Sequence, residues 1–406
     1  MMISLEKALE RILQRMNPVE SEQIAVTQAD GRVLSESLIA GISLPMWDNS
    51  AMDGFALRAE DVHTASPEKP VLLSCLGEGA AGKPSSSQIT PGTCLRIFTG
   101  SPMPEGADAV VMQEDTSRGE DSTDFVQVMD AVRPFENVRF RGEDIKENTT
   151  LASAGSRLSP FQVSLAAATG SATLQVYRRP RVGILATGSE LRDPGDILES
   201  GCIYESNRLL LRSLVRRAGA EPRVYPIVKD TLNATCLALS KAVDECDAIV
   251  TSGGVSVGDY DFIKPAIEAL HGDIHFWRMR VKPGKPIVFG SVGSVPIFGL
   301  PGNPVSATVT CTLLVHPALA RLGGERAFQH VYTRGRLAEP LSNRGDRHLF
   351  LRVSLGKDGV VRLSGANQAS HALGSLAASD GLLGVPEGAT LDSGEHVSVI
   401  CWPRVP

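Results

Sequence analysis

From about residue 178 to 326, short apolar runs alternate with amphipathic helical stretches, and this alternation constrains the fold more than any other feature of the chain. Val182–Thr187 reads as a buried strand. Ser206 then caps a helix carrying Leu209, Leu210, Leu214 and Val215, stopped by Gly219. Arg223–Val228 reads as the next strand, and Asp230 and Thr231 open a helix with Leu237, Leu239 and Val243. Ala248–Thr251 is a third strand, and Asp261 caps a helix over Ile263–Leu270. Strands follow near 274–281, 286–290 and 295–299. Asn303-Pro304 starts a long helix through Leu322, where Pro304 suits the first helical position because its missing N–H would be unpaired there anyway. Strands and helices joined by short connections predict a parallel, doubly wound α/β sheet. Such sheets bind ligands beyond the carboxyl ends of their strands. In this reading those ends carry 187–190, 228–230, 252–261 and 300–303.

The flanks differ. The N-terminus predicts an amphipathic helix (Leu5, Ala8, Leu9, Ile12, Leu13, Met16) capped by Ser4. Residues 26–177 hold short apolar runs, many turns and a polar loop at 113–124, with helical signal returning over Ser159–Ala168. After about 327 the stretches 349–355, 360–363 and 397–401 are strand-like and glycine-punctuated, which predicts a compact β domain. The seven cysteines are scattered, with no CxxC and no His at zinc spacing, so they read as reduced thiols. The N-terminus lacks the uncharged core of a signal peptide, and no run of about 18 apolar residues predicts a membrane span. The expectation is a cytoplasmic protein. A formal net charge of −6 makes a general nucleic-acid coat a poor fit.

The 39 glycines and 25 prolines exceed the average share of roughly 12%, and an informative part of that excess falls at the strand ends. Ser252-Gly253-Gly254-Val255-Ser256-Val257-Gly258 lies between a strand and a helix. Glycines there let backbone N–H groups approach a phosphate or a molybdate-like anion. It is neither a Walker A motif nor GxGxxG, and a tight turn without ligand would also account for it. Lys282 and Lys285 flank a proline-glycine bend, and an anion would give both charges a reason to converge, though two solvated surface lysines would also account for them. Pro301, Asn303 and Pro304 shape a helix start whose N–H groups favour anions, with Ser306 in the first turn. Glu190, Asp230, Asp259 and Asp261 fall on neighbouring loops, as oxygen ligands for Mg²⁺ beside phosphate would. Helix capping accounts equally for Asp230 and Asp261. In the first half, spacing alone assigns no chemistry to the segments around Asp53, Thr99 and Asp144.

Six segments together carry a resemblance: SAMDGFAL (50–57), RIFTGSPMPEGADAVVMQED (96–115), RGEDI (141–145), SGGVSVGDYDF (252–262), KPGKP (282–286) and GLPGNPVSA (299–307). In order and nearly end to end, the chain resembles the MoeA-type molybdopterin molybdenumtransferases, relatives of the gephyrin E domain. The resemblance implies a multi-domain α/β-plus-β chain, L-shaped and homodimeric. It implies an N-terminal helical segment (1–25), a connecting subdomain (26–43 and 148–177) and a mostly β arm (44–147). A doubly wound, MogA-like molybdopterin-binding domain (178–326) and a small C-terminal β barrel (327–406) follow. The active site would lie between that domain of one subunit and the arm of the other. Adenylylated molybdopterin and molybdate would become molybdenum cofactor and AMP, with Mg²⁺ as the divalent ion. By the same resemblance Asp53, Thr99, Glu190, Asp230 and Asp261 are catalytic. Substrate would be held by Asp144, Ser252, Gly253, Gly254, Ser256, Gly258, Arg278, Lys282, Lys285, Pro301, Asn303, Pro304 and Ser306, and metal by Asp230, Asp259 and Asp261. Molybdopterin adenylyltransferase and molybdoenzyme apoproteins or their chaperones would be partners, without nucleic acid or membrane. The alternatives are the adenylyltransferase itself, which usually has the doubly wound domain alone and a GGTG loop, and a non-catalytic gephyrin-like scaffold, which would carry a long linker or second enzyme domain.

Overall fold

The computed structural model describes residues 2–83, 85–118, 124–255, 258, 261–365 and 367–402. Ser4 caps the first helix, Leu5–Leu13, by accepting from Lys7 N. Ala8 and Ile12 from this helix, with Met16 just beyond it, are buried in the core of the α/β unit. Strand Ser21–Ala25 pairs antiparallel with Thr173–Tyr177, and Leu38–Ile39 pairs with Thr150–Ala152. The helix Pro160–Ala168 between them starts with a reciprocal capping box of Ser159 and Gln162.

The arm is a six-stranded sheet in the order 109–112, 54–57, 93–97, 71–79, 125–128, 116–117. Strands Val71–Gly79 and Thr93–Ile97 are its parallel pair. Phe55, Leu73, Val111 and Val126 are buried on one face of it.

The α/β unit is a six-stranded sheet in the order 221–224, 181–186, 248–252, 295–300, 286–292, 273–278. Its side chains alternate faces, as strand geometry requires. Val182, Ile184, Val250 and Phe298 pack beneath helices Asn207–Arg217 and Pro304–Thr310. Leu185, Ile249 and Ile297 pack against Leu239 and Ala242 of helix Leu232–Glu245 and Ile263 and Ile267 of helix Ile263–Ala269. Helices thus cover both faces, as the alternation predicts. The sheet is not wholly parallel, however. The first four strands run parallel, but Pro286–Val292 is antiparallel to both its neighbours. Only Gly293 and Ser294 join Val292 to Val295. A parallel pairing needs a crossover of about a dozen residues, so this short link dictates a hairpin. Gly293 takes the required positive φ of 56°.

The stretch 304–322 is the one helix among the described residues that is long and apolar enough to cross a membrane, and 94% of its apolar window is buried inside the protein. The C-terminal strands 348–355, 360–363, 332–337, 396–401 and 381–385 close on themselves as a five-stranded barrel, since 348–355 also pairs with 381–385. Val281–Lys282 adds to this barrel, in parallel with His348–Leu349. The predicted strand 274–281 is therefore split: Asp273–Arg278 belongs to the α/β sheet and the next strand residues to the barrel.

Candidate active site

A cleft of about 620 Å³ opens at the carboxyl ends of strands Arg181–Ala186, Ala248–Ser252 and Val295–Leu300. The loops after these three strands build much of its wall, with 203–207, Asp230 and Pro286 beside them. After the second of these strands, Gly253 and Gly254 adopt φ of 89° and 67°. A Cβ on Gly253 would stand 2.7 Å from the Thr187 carbonyl oxygen, and one on Gly254 2.9 Å from Thr187 Oγ1. Both sites therefore demand glycine for backbone angle and for room. The Gly253 N–H donates to the Leu300 carbonyl (3.0 Å), which ties this loop to the third strand's end.

The two aspartates do not cap helices. Thr231 caps helix Leu232–Glu245 by accepting from Ala234 N, while Asp230 Oδ2 accepts from Ser189 N at 2.7 Å. Asp230 thus latches the 187–190 loop. Likewise Phe262 is the cap residue of helix Ile263–Ala269, and Asp261 Oδ2 instead accepts from Gly258 N at 2.6 Å. Within hydrogen-bond reach the Oδ1 of each has no partner among the described residues. Glu190, exposed, lines the same cleft with Asp230 and Asp261.

The helix start at Pro304 offers fewer free donors than its sequence suggests. Pro304 has no N–H, and Val305 N donates to the Ser370 carbonyl at 3.2 Å. Asn303 Nδ2 donates to Ser370 Oγ at 2.9 Å. The barrel's 367–372 segment therefore buttresses this side of the cleft.

Three further residues escaped sequence reasoning. Asn207, buried, donates through Nδ2 to Ser252 Oγ at 2.7 Å and to the Gly302 carbonyl at 2.6 Å, so one amide stitches two cleft loops to a helix start. Its Oδ1 and Thr187 Oγ1 are buried without a hydrogen-bond partner, and both residues line the cleft. They leave unused hydrogen-bonding capacity at the cleft. Glu205, 3% exposed, accepts from Arg208 N and Nε at 2.9 Å each, and so caps the helix that Ser206 was expected to cap. Arg208 continues to the Tyr225 carbonyl and to Asp193. Only the Glu-x-x-Arg spacing hints at this pair in the sequence.

Replacing Asn207 with alanine strands the buried Ser252 hydroxyl and Gly302 carbonyl. The expected cost is about 1–3 kcal/mol, read as a lower thermal midpoint with the far-ultraviolet circular dichroism unchanged below it. An unaltered midpoint would show that the loops hold without this amide.

The structure brings together Glu190, Asp230, Ser252, Gly253, Gly254, Asp261, Pro301, Asn303 and Pro304. Gly258 is exposed beside them through Asp261. Ser256 and Asp259 lie outside the described residues. Lys282 and Lys285 are exposed and do not line the cleft, although the adjoining Pro286 does. Arg278 sits over the Trp277 ring at 3.8 Å, so its guanidinium is stacked rather than aimed with the lysines. Ser306 is buried inside its helix and is no part of the wall. On the arm, Thr99 N and Oγ1 both donate to Asp53 Oδ1 at 2.8 Å. These two bonds hold the Asp53 carboxyl below its ordinary range. Neither they nor the exposed Asp144 line the cleft of the same chain.

Comparison with known proteins covers every part of this architecture. Residues 3–170 match the family model of the MoeA N-terminal region (domain I and II), 183–321 a probable molybdopterin binding domain, and 334–402 the MoeA C-terminal region (domain IV). A molybdopterin molybdenumtransferase from Nostoc is 37% identical over 95% of this chain and 89% of its own. Molybdopterin molybdenumtransferase 2 from Mycobacterium tuberculosis is 36% identical over 95% and 96%. A molybdopterin biosynthesis MoeA protein structure from Pyrococcus horikoshii superposes with a TM-score of 0.86 at 30% identity, covering 99% of this chain and 100% of the other. With both flanks and the central domain matched in order, the chain belongs to the MoeA family of molybdopterin molybdenumtransferases.

Proposed function

We propose that this chain is a transferase that inserts molybdenum from molybdate into adenylylated molybdopterin, yielding molybdenum cofactor and AMP. The observation that carries this reading is the convergence of the Gly253-Gly254 turn with Glu190, Asp230 and Asp261 on one cleft. Cleaving a phosphoanhydride calls for positioning and charge neutralisation more than for a covalent nucleophile. Backbone N–H groups of the glycine turn would hold phosphate or pterin, and Lys282 and Lys285 at the rim would attract the molybdate dianion.

The donor set suits Mg²⁺. Among the described residues no group of three His, Cys, Asp or Glu could hold a metal by itself. Mg²⁺, however, is commonly held by one or two carboxylates plus substrate phosphates, and Asp230 and Asp261 each keep one carboxylate oxygen outside their loop bonds. When bound there, the ion would neutralise phosphate charge. Asp259 remains a proposed third ligand.

Asp53, Thr99 and Asp144 would serve the cleft of a second subunit in a homodimer. Their absence from the cleft wall of their own chain supports that arrangement. The division 1–25, 26–43 with 148–177, 44–147, 178–326 and 327–406 serves as the domain map; the pairing of 38–39 with 150–152 supports it, whereas the pairing of 21–25 with 173–177 ties the end of the first segment to the connecting subdomain. The cytoplasm is the proposed site of action, with a molybdopterin adenylyltransferase upstream and molybdoenzyme apoproteins or their chaperones downstream.

The test is to incubate the purified protein with adenylylated molybdopterin, molybdate and Mg²⁺ and to follow AMP release and metal insertion. Molybdate-dependent release is expected. Its absence from verified substrate and folded dimer would sink the reading.

A further inference from the structure

The arm carries a pair of thiols that the cleft chemistry does not use. Cys75 and Cys94 are directly aligned neighbours on the parallel strands Val71–Gly79 and Thr93–Ile97. Both face the arm core, Cys94 fully buried and Cys75 half-buried. Adjacent strands lie about 4.8 Å apart, within the roughly 4.4–6.8 Å between Cα atoms that a disulfide spans. Arg118 Nη2 donates to Cys75 Sγ at 3.2 Å. That guanidinium, on an exposed residue, lies over the buried Phe55 ring, 4.8 Å from its centroid. None of these residues lines the cleft.

We propose that Cys75 is a peroxide-reactive thiolate and Cys94 its resolving partner, forming a reversible disulfide within the arm. The Cys94 sulfur beside it and the Arg118 charge together draw the Cys75 thiol down to about 5, and the same contact pushes Cys94 up. The two sulfurs are thereby divided into nucleophile and reserve. In the first step the Cys75 thiolate attacks one oxygen of hydrogen peroxide. The O–O bond breaks, giving Cys75 sulfenic acid and hydroxide, with the thiolate oxidised and the peroxide reduced. In the second step the Cys94 sulfur attacks the Cys75 sulfenic sulfur. The S–O bond breaks, hydroxide leaves, and the Cys94 proton completes water. A small thiol reductant reverses the pair through a mixed disulfide.

The experiment is peroxide oxidation of the full chain at pH 6, with cysteine-resolved mass spectrometry. The half-buried thiols Cys202, Cys236 and Cys401 are internal controls. At this pH an ordinary thiol is almost wholly protonated. Even after allowance for the weaker nucleophilicity of a low-pKa sulfur, Cys75 is expected to oxidise about fivefold or more faster than the controls. The product should be a Cys75–Cys94 disulfide that dithiothreitol reverses. Cys94→Ser should stop at a sulfenic acid on Cys75, trapped by dimedone, and Arg118→Gln should slow the first step at least about threefold. The wild-type peptide map keeps the test decisive if a cysteine variant misfolds. Oxidation of Cys75 at the pace of the controls, a stable wild-type sulfenic acid, or pairing of Cys75 with any other cysteine would each overturn the proposal.

Discussion

Asp230→Asn is expected to keep the fold and the 187–190 loop in place while slowing molybdate-dependent AMP release about 100-fold, or about 2.7 kcal/mol of barrier. The reason lies in what the substitution preserves. Asp230 Oδ2 accepts from Ser189 N at 2.7 Å, and the carboxamide oxygen of asparagine can accept the same bond. What disappears is the negative charge at the cleft. Asp230→Ala removes the charge and the acceptor of the Ser189 N–H together, leaving only the Asp230 N–H bond to Ser189 Oγ at 3.3 Å. If the charge matters, the asparagine variant falls nearly as far as the alanine variant, and raising Mg²⁺ recovers part of the loss through mass action. Should the asparagine variant turn over like wild type while the alanine variant fails, Asp230 is a loop latch and nothing more. Melting curves for both variants separate a loosened loop from a lost charge, because only the alanine variant loses the side-chain acceptor of the Ser189 N–H.

The ambiguity this experiment addresses began in the sequence. An aspartate just before a helix reads as a cap, and both Asp230 and Asp261 stand in that place. The structure gives the capping to Thr231 in one case and leaves no side-chain cap in the other. Each aspartate reaches a backbone N–H of a loop instead, a choice set by loop conformation that no residue spacing records. The strand-helix alternation and the glycine turn were legible because each follows from local periodicity or from a backbone angle only glycine tolerates. The hairpin at Gly293-Ser294 was also legible in principle, since two residues cannot bridge parallel strands, yet the apolar runs alone did not show it. Asn207 was hidden for a different reason. Its partners Ser252 and Gly302 are 45 and 95 residues away, and a single asparagine in a helix start has no pattern to mark it. Lys282 falls short of the cleft wall where Val281–Lys282 is drawn into pairing with the barrel, a long-range contact that residue spacing does not record.

That pairing is one link between the barrel and the α/β unit, and another predicts a large stability effect. Arg352 is fully buried. It donates to the carbonyls of Asn367, Gln368 and Ala369 at 2.9–3.1 Å and through Nε and Nη2 to Ser375 Oγ. One planar fork therefore organises the segment that carries Ser370, and Ser370 receives the bonds from Asn303 Nδ2 and Val305 N at the cleft. Arg352→Met would fill much of the volume but leave several buried acceptors unpaired. Such losses cost about 1–3 kcal/mol apiece and overlap where segments relax, so a total of about 3–5 kcal/mol is expected. Lysine should rescue little, because a compact ammonium cannot span carbonyls that the guanidinium reaches with separate N–H groups. The check is hydrogen exchange of 367–378 beside substrate affinity measured well below the melting transition. Faster exchange there with weaker substrate binding would place the barrel among the supports of the active site. Faster exchange with unchanged binding would confine Arg352 to the barrel, and unchanged exchange would remove it from both roles.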